Sequence, residues 1–177
     1  MPQTNVVVVF YSRTGATEKL AAAAAVGAVN ERALIRLRRM PDSAPEDVIA
    51  ANPEWQKNHD RMKREYIAPR EIDFEWADAI VLATPESFPP DCAEWQPCMD
   101  LLHRLAAGGK LAYKVALAFG KGSEAFAPGL IGAGMIAAPA IGSLDAENAR
   151  QNGRLAARMA RLSKEGGLRG EPEGQPG

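Results

Sequence analysis

The sequence predicts an α/β domain in which five strands form a parallel sheet covered by helices on both faces. Apolar runs rich in β-branched residues recur without polar alternation, as in strands buried on both sides. Helix-forming stretches separate them, so that strand and helix alternate five times. A hydroxyl- and glycine-rich segment follows the first apolar run, at the carboxyl edge of such a sheet, where ligands bind.

Val6 to Phe10 is a continuous β-branched and aromatic run, the pattern of a central strand. Glu18 to Ala28 carries strong helix formers, and Ala33 to Leu37 reads as a more exposed strand because Arg36 interrupts its apolar residues. From Pro41 to Arg70 the composition turns polar; "APEDVIAA" and "NPEWQKNHDRMKREY" each place a proline early and helix formers after it, predicting two short surface helices. Asp78 to Thr84 is a second buried strand, introduced by "DFEWA", and Asp91 to Ala107 reads as a helix interrupted at Pro97. Lys114 to Phe119 is the fourth strand. Met135 to Ile141 is a weaker fifth, because Pro139 cannot donate to a ladder. Asp145 to Leu162 closes the domain as an Arg-rich helix, so residues 1–163 form one domain and the Gly-, Pro- and charge-rich residues 164–177 read as a disordered tail.

The chain has 177 residues and a net charge of -1, so it offers no electrostatic case for a nucleic-acid or membrane-surface partner. No run approaches the roughly 20 apolar residues of a membrane span, and no leader pattern is present, so a cytoplasmic protein is expected. Cys92 and Cys98 are read as reduced structural thiols. Two histidines far apart, without zinc-type Cys/His spacing, predict no metal site. His59 is read as solvated, His103 as a surface or interface residue, and Trp95 as an anchor between helix and sheet. Trp55 and Tyr66 lie on polar helices, where aromatics often mark a subunit contact.

Ser12, Arg13, Thr14, Gly15, Ala16 and Thr17 end the first strand and open the first helix. Unpaired backbone N–H groups and the positive helix end favour an anion there; three hydroxyls exceed what a simple cap needs. The segment is neither a Walker A loop nor a G-x-G-x-x-G fingerprint.

"VVVFYSRTGATEKLA" resembles the phosphate loop of the flavodoxin-like fold, and more closely that of the flavin-dependent NAD(P)H:quinone oxidoreductases of the tryptophan-repressor-binding-protein type. The likeness continues in "FEWADAIVLATPESF", "EWQPCMDLL", "GKLAYKVALAFGKGS" and "NARQNGRLAARMARL". It implies FMN held by Ser12 to Thr17 through its phosphate, by Pro85, Glu86, Ser87 and Phe88 at the ring, and by a third loop containing Gly120, Gly122 and Ser123. It also implies NAD(P)H and quinone as substrates and a homodimer or homotetramer; no side chain is singled out as catalytic. Departures cluster on the ring side. Ala16 stands where the family usually has Asn. Pro89 and Pro90 replace a Gly-Asn pair and remove two N–H donors. The third loop keeps only Gly122 and Ser123 of its pattern, and a Pro-Tyr-Gly segment after the fifth strand is absent. Two outcomes follow: an FMN-binding oxidoreductase with an open ring site and weakened FMN retention, or a flavodoxin-like domain without flavin that serves as an interaction module. An electron-carrier flavodoxin is a third reading, disfavoured by the near-neutral charge.

Overall fold

The computed structural model describes residues 2–85 and 88–168. Glu86, Ser87 and most of the expected tail, residues 169–177, lie outside the described residues.

Strands β1 (Asn5–Phe10), β2 (Leu34–Arg39), β3 (Ala79–Thr84), β4 (Val115–Gly120) and β5 (Ile136–Ala137) form a parallel sheet in the order β2-β1-β3-β4-β5. The β1–β3 register pairs Phe10 with Ala83, and the β3–β4 register pairs Thr84 with Gly120, so three loops leave the sheet at one level. The sheet is what brings these loops to a common edge.

Because strand side chains alternate, β1 feeds two cores. Val6, Val8 and Phe10 face α1 (Ala16–Asn30) and α7 (Ala146–Glu165), whereas Val7, Val9 and the following Tyr11 face α4 (Glu71–Trp76) and α5 (Gln96–Ala107). The run of alanines in α1 has a packing reason. A Cβ on Gly153 of α7 would lie 1.9 Å from the Ala24 carbonyl oxygen, so only small residues permit this separation. Trp95 is the anchor the sequence implied, fully buried and edge-on to Phe126 at 5.2 Å.

Several boundaries differ from expectation. α2 (Glu46–Ala50) and α3 (Pro53–Glu65) occupy the polar insertion as predicted, with Asn52 capping α3 through its Oδ1 and the Trp55 N–H, but α3 also buries Trp55 and Met62. The segment leading into β3 is a helix, α4, whose Asp73 carboxylate accepts from the Arg70 N–H at 2.9 Å. Pro97 does not interrupt a helix begun at Asp91: α5 begins at Gln96 and holds Pro97 in its first turn, where a missing N–H costs nothing. The short α6 (Ala127–Gly132) leads into β5, which is only two residues long, since Pro139 ends the ladder. α7 runs to Glu165, two residues into the stretch expected as tail. Among the described residues no helix is long and apolar enough to cross a membrane.

Candidate functional site

Beyond Phe10 the chain turns through Tyr11 to Gly15 and enters α1. Gly15 sits at φ +92°, a left-handed conformation that favours glycine, and its N–H donates to Ser12 Oγ at 3.0 Å. That bond folds the loop back on itself. Among the described residues no side chain caps α1, so the first-turn N–H groups lack the partner that a Ser, Thr or Asp cap would supply. Ser12 and Thr17 are buried beside this end and Thr14 is exposed.

An open cleft of about 470 Å³ lies over the loop. Ser12, Arg13, Thr14, Ala16, Thr17 and Leu20 form one wall; Thr84, Pro85 and Phe88 from the second loop, with Leu144 from the segment before α7, form the other. Five of the six predicted phosphate-loop positions thus line the cleft with Pro85 and Phe88, and the sixth, Gly15, supplies the turn. Gly120, Gly122 and Ser123 do not line it. Gly120 is required where it stands, because at φ +129° a Cβ would lie 1.9 Å from the Thr84 carbonyl oxygen. Gly122, at φ +78°, then bends the chain into a turn, and Ser123 faces a separate cavity of about 380 Å³ beside β4 and β5.

Arg13 does not reach into solvent as a free cation. Its guanidinium carbon lies 4.1 Å from the centroid of the Trp55 ring and 4.8 Å from that of Phe88. Its Nε donates to the Tyr11 hydroxyl at 2.8 Å, and a terminal nitrogen meets Glu94 Oε1 at 3.4 Å. Such cation–ring contacts are worth about 0.5–2 kcal/mol each, enough to fix the side chain when several converge. Phe88 also meets Tyr11 edge-on at 4.9 Å, so the second loop and the insertion are joined through Arg13.

Below this stack lies Asp42, whose side chain is 0% exposed. Its Oδ1 accepts from the Tyr11 hydroxyl and the Trp55 Nε1–H, both at 3.0 Å. Its Oδ2 accepts from Arg39 at 2.5 Å and meets His59 Nδ1 at 2.7 Å. Burial by itself would raise the Asp42 carboxyl, but hydrogen bonds from His59 and Arg39 outweigh it and hold the group below the ordinary carboxylate range. Burial pushes the Tyr11 phenol up, so it remains a neutral donor.

A second link joins α3 to the loop. Glu18, in the first turn of α1, accepts from Arg61 at 2.9 and 2.6 Å and from the Tyr66 hydroxyl at 2.7 Å. The Arg61 hydrogen bonds hold its carboxyl below the ordinary range. Tyr66 also packs edge-on to Phe10 at 5.1 Å.

One expectation changes: His59 is not solvated but bound to Asp42. Trp55 and Tyr66 are engaged within the chain, Trp55 by Arg13 and Asp42 and Tyr66 by Glu18 and Phe10. His103 is exposed on α5, as the sequence implied. Leu20, Thr84 and Leu144 in the walls, and Asp42, Arg61 and Glu94 beneath them, were not singled out by sequence; only Glu18, an acid in a first helical turn, offered a local signal. Neither cysteine is in a disulfide, and no cluster among the described residues could hold a metal ion.

No family model matches the sequence. A protein of Deinococcus radiodurans called NAD(P)H dehydrogenase (quinone) is 36% identical over 107 residues, which are 60% of this chain and 53% of that protein. One of the same name from Archaeoglobus fulgidus is 30% identical over 115 residues, 65% of this chain and 60% of that one. The matched region thus spans between half and two thirds of the length of these curated relatives. Among solved structures, the flavodoxin, WrbA-like protein of Agrobacterium tumefaciens superposes with a TM-score of 0.57 at 21% identity, over 92% of this chain and 99% of that one. A flavodoxin from the domain Archaea gives 0.60 at 16% identity, over 91% and 99%. The strand order, the loop at the carboxyl end of β1 and these likenesses agree: the chain has the flavodoxin-like fold and is a homologue of proteins named NAD(P)H dehydrogenase (quinone).

Proposed function

We propose that the chain binds FMN in the cleft above β1 and β3 and transfers two electrons from NAD(P)H to a quinone. The observation that carries this reading is the uncapped amino end of α1, opening with the hydroxyl-bearing Ser12–Thr17 loop into a cleft walled by Phe88. An anion is the partner that such a helix end lacks, and a phosphoryl group attached to a flat apolar ring would engage both parts of the cleft.

The residues present fit the phosphate end best. Backbone N–H groups at the start of α1, with the Thr14 and Thr17 hydroxyls, would hold the phosphate, and the Ser12 hydroxyl keeps the loop folded by accepting from Gly15. Phe88, Pro85 and Leu144 would flank the ring with apolar surface and limit water on that side. Pro85, Pro89 and Pro90 carry no N–H, so these positions donate nothing to the polar edge of a flavin. When bound, FMN would supply the hydride chemistry itself, and the protein's part is to bind, orient and shield it. The hydroxyl-bearing loop at the start of α1 and the names of the homologues disfavour the alternative of a flavin-free interaction module. Assembly as a homodimer or homotetramer is proposed from the family resemblance.

The test is a titration of purified protein with FMN, followed by quenching of flavin fluorescence to a 1:1 endpoint. Removing both donors in Thr14→Ala/Thr17→Ala should weaken binding by about 1–3 kcal/mol, the worth of lost hydrogen bonds to a charged group. Absence of quenching by the unaltered protein at tens of micromolar FMN would sink the proposal. If binding is seen, FMN-dependent oxidation of NADH or NADPH by a quinone is the activity to measure.

A further inference from the structure

Glu18 stands at the third position of α1, where a glutamate ordinarily folds back to accept from the backbone at the start of its own helix. Here it does not. The Gly15 N–H donates to Ser12 Oγ at 3.0 Å instead, and both Glu18 oxygens are taken by the insertion. Arg61 donates to Oε1 at 2.9 Å and to Oε2 at 2.6 Å, and the Tyr66 hydroxyl donates to Oε1 at 2.7 Å.

The pair lies directly against the helix start. A Cβ built on Gly15 would be 3.4 Å from Glu18 Oε2 and 3.7 Å from a terminal nitrogen of Arg61. A carboxylate released at this place would be an anion tethered to the same positive helix end that a phosphate needs, and it would both occupy and repel. Arg61 removes the conflict twice over, by geometry and by charge. Its own position is fixed from α3, where Glu65 accepts from it at 2.8 Å and Asn58 lies at 3.3 Å.

We propose that Arg61, which does not line the cleft, is a positioning residue that with Tyr66 holds the Glu18 carboxylate off the amino end of α1 and so keeps that end open to an external phosphate. The proposal rests on the FMN reading above and adds a role for the insertion: α3 governs the anion affinity of a loop to which it contributes no donor.

The experiment measures dissociation constants for FMN and for riboflavin, which lacks the phosphate, by flavin fluorescence quenching. The proteins are the unaltered chain, Arg61→Met, Arg61→Lys, Glu18→Gln and Arg61→Met/Glu18→Gln, each also checked for folding by thermal melting. Arg61→Met should weaken FMN binding by about tenfold or more while changing riboflavin binding by less than about twofold, because the released charge acts on the phosphate alone. Arg61→Lys should retain most of the FMN affinity. Glu18→Gln should bind FMN as tightly as the unaltered chain or more tightly, and the double variant should recover to within about threefold, since no competing anion remains. If Arg61→Met and Glu18→Gln both weaken FMN, and the double variant is no better than Arg61→Met, the pair is only a brace and the proposal is overturned. Equal loss of FMN and riboflavin in Arg61→Met would overturn it as well. An unaltered protein that binds riboflavin as tightly as FMN would overturn it through the phosphate site, and one that binds neither would remove the FMN reading itself.

Discussion

Replacing Asp42 by Ala strikes the point on which the loop and the insertion both depend. Four groups lose an acceptor at once: the Tyr11 hydroxyl, the Trp55 indole N–H, the Arg39 guanidinium and His59. A buried neutral donor left without a partner costs about 1–3 kcal/mol, and a buried ion pair broken by loss of one member costs about 3–5 kcal/mol. The Arg39 side chain is only 5% exposed, so its charge cannot simply turn to water. The costs overlap where neighbours relax together, which puts the expected loss at about 4–6 kcal/mol, a large part of the roughly 5–15 kcal/mol that holds a domain folded. Urea unfolding followed by circular dichroism measures it directly. Asp42→Asn, which keeps one acceptor, should lose less, and Arg39→Met/Asp42→Leu should recover part of the loss because no charge is stranded. The effect also has a pH signature. Asp42 titrates lower in the folded chain than unfolded, so its contribution is fully present above the ordinary carboxylate range and is lost as pH falls through the folded value. The stability of Asp42→Ala should therefore fall less steeply on acidification than that of the unaltered chain. A loss under about 1 kcal/mol, the worth of an exposed pair, would refute the idea that Asp42 organises this corner.

Two further outcomes test the packing. Gly153→Ala places a methyl 1.9 Å from the Ala24 carbonyl oxygen, so α1 and α7 must separate; overpacking of about 1–3 kcal/mol should lower Tm by about 2–12 °C, and an unchanged melting curve would contradict the close approach. Burial pushes the Cys98 thiol up to about 12, whereas Cys92 is half-buried, so a thiol reagent should label Cys92 in the native chain and Cys98 only on unfolding; rapid labelling of both would contradict the buried α5 face.

The parts legible in the sequence are those specified by neighbours in the chain. β1, β3 and β4 announce themselves because strands buried on both faces need continuous apolar runs, and the α1 start because hydroxyls and glycine must follow β1 immediately. α4 escaped because six residues are too few to show helical periodicity, and "EIDFEW" places its one capping contact between Asp73 and the Arg70 backbone. The start of α5 is not legible because Pro97 reads equally as an interruption or as a first turn until the preceding residues are seen to form a separate turn. The Asp42 cluster could not be read at all, since Tyr11 and Asp42 are 31 positions apart and meet only when β1 and β2 pair.

The insertion shows how polarity misleads. α3 reads as a solvated helix because most of its residues are charged or amidic, yet Trp55, His59 and Met62 recur at helical spacing and all turn inward. A hydropathy pattern registers such a face weakly, because its buried contacts include hydrogen bonds as well as apolar area. Arg61 and Tyr66 continue the same logic toward Glu18, 43 and 48 positions away. The α1 side of the cleft is therefore held in place by a segment that supplies none of its lining residues. On the opposite side the third loop takes no part in the wall: Gly120 and Gly122 turn it away and Ser123 faces its own cavity, while the half-exposed Leu144 closes the wall on a segment that Asn152 of α7 holds through the Ile141 backbone. If FMN binds here, substitutions beneath the phosphate loop should change its affinity more than substitutions along the third loop, because only the first set is coupled to donors that face the cleft.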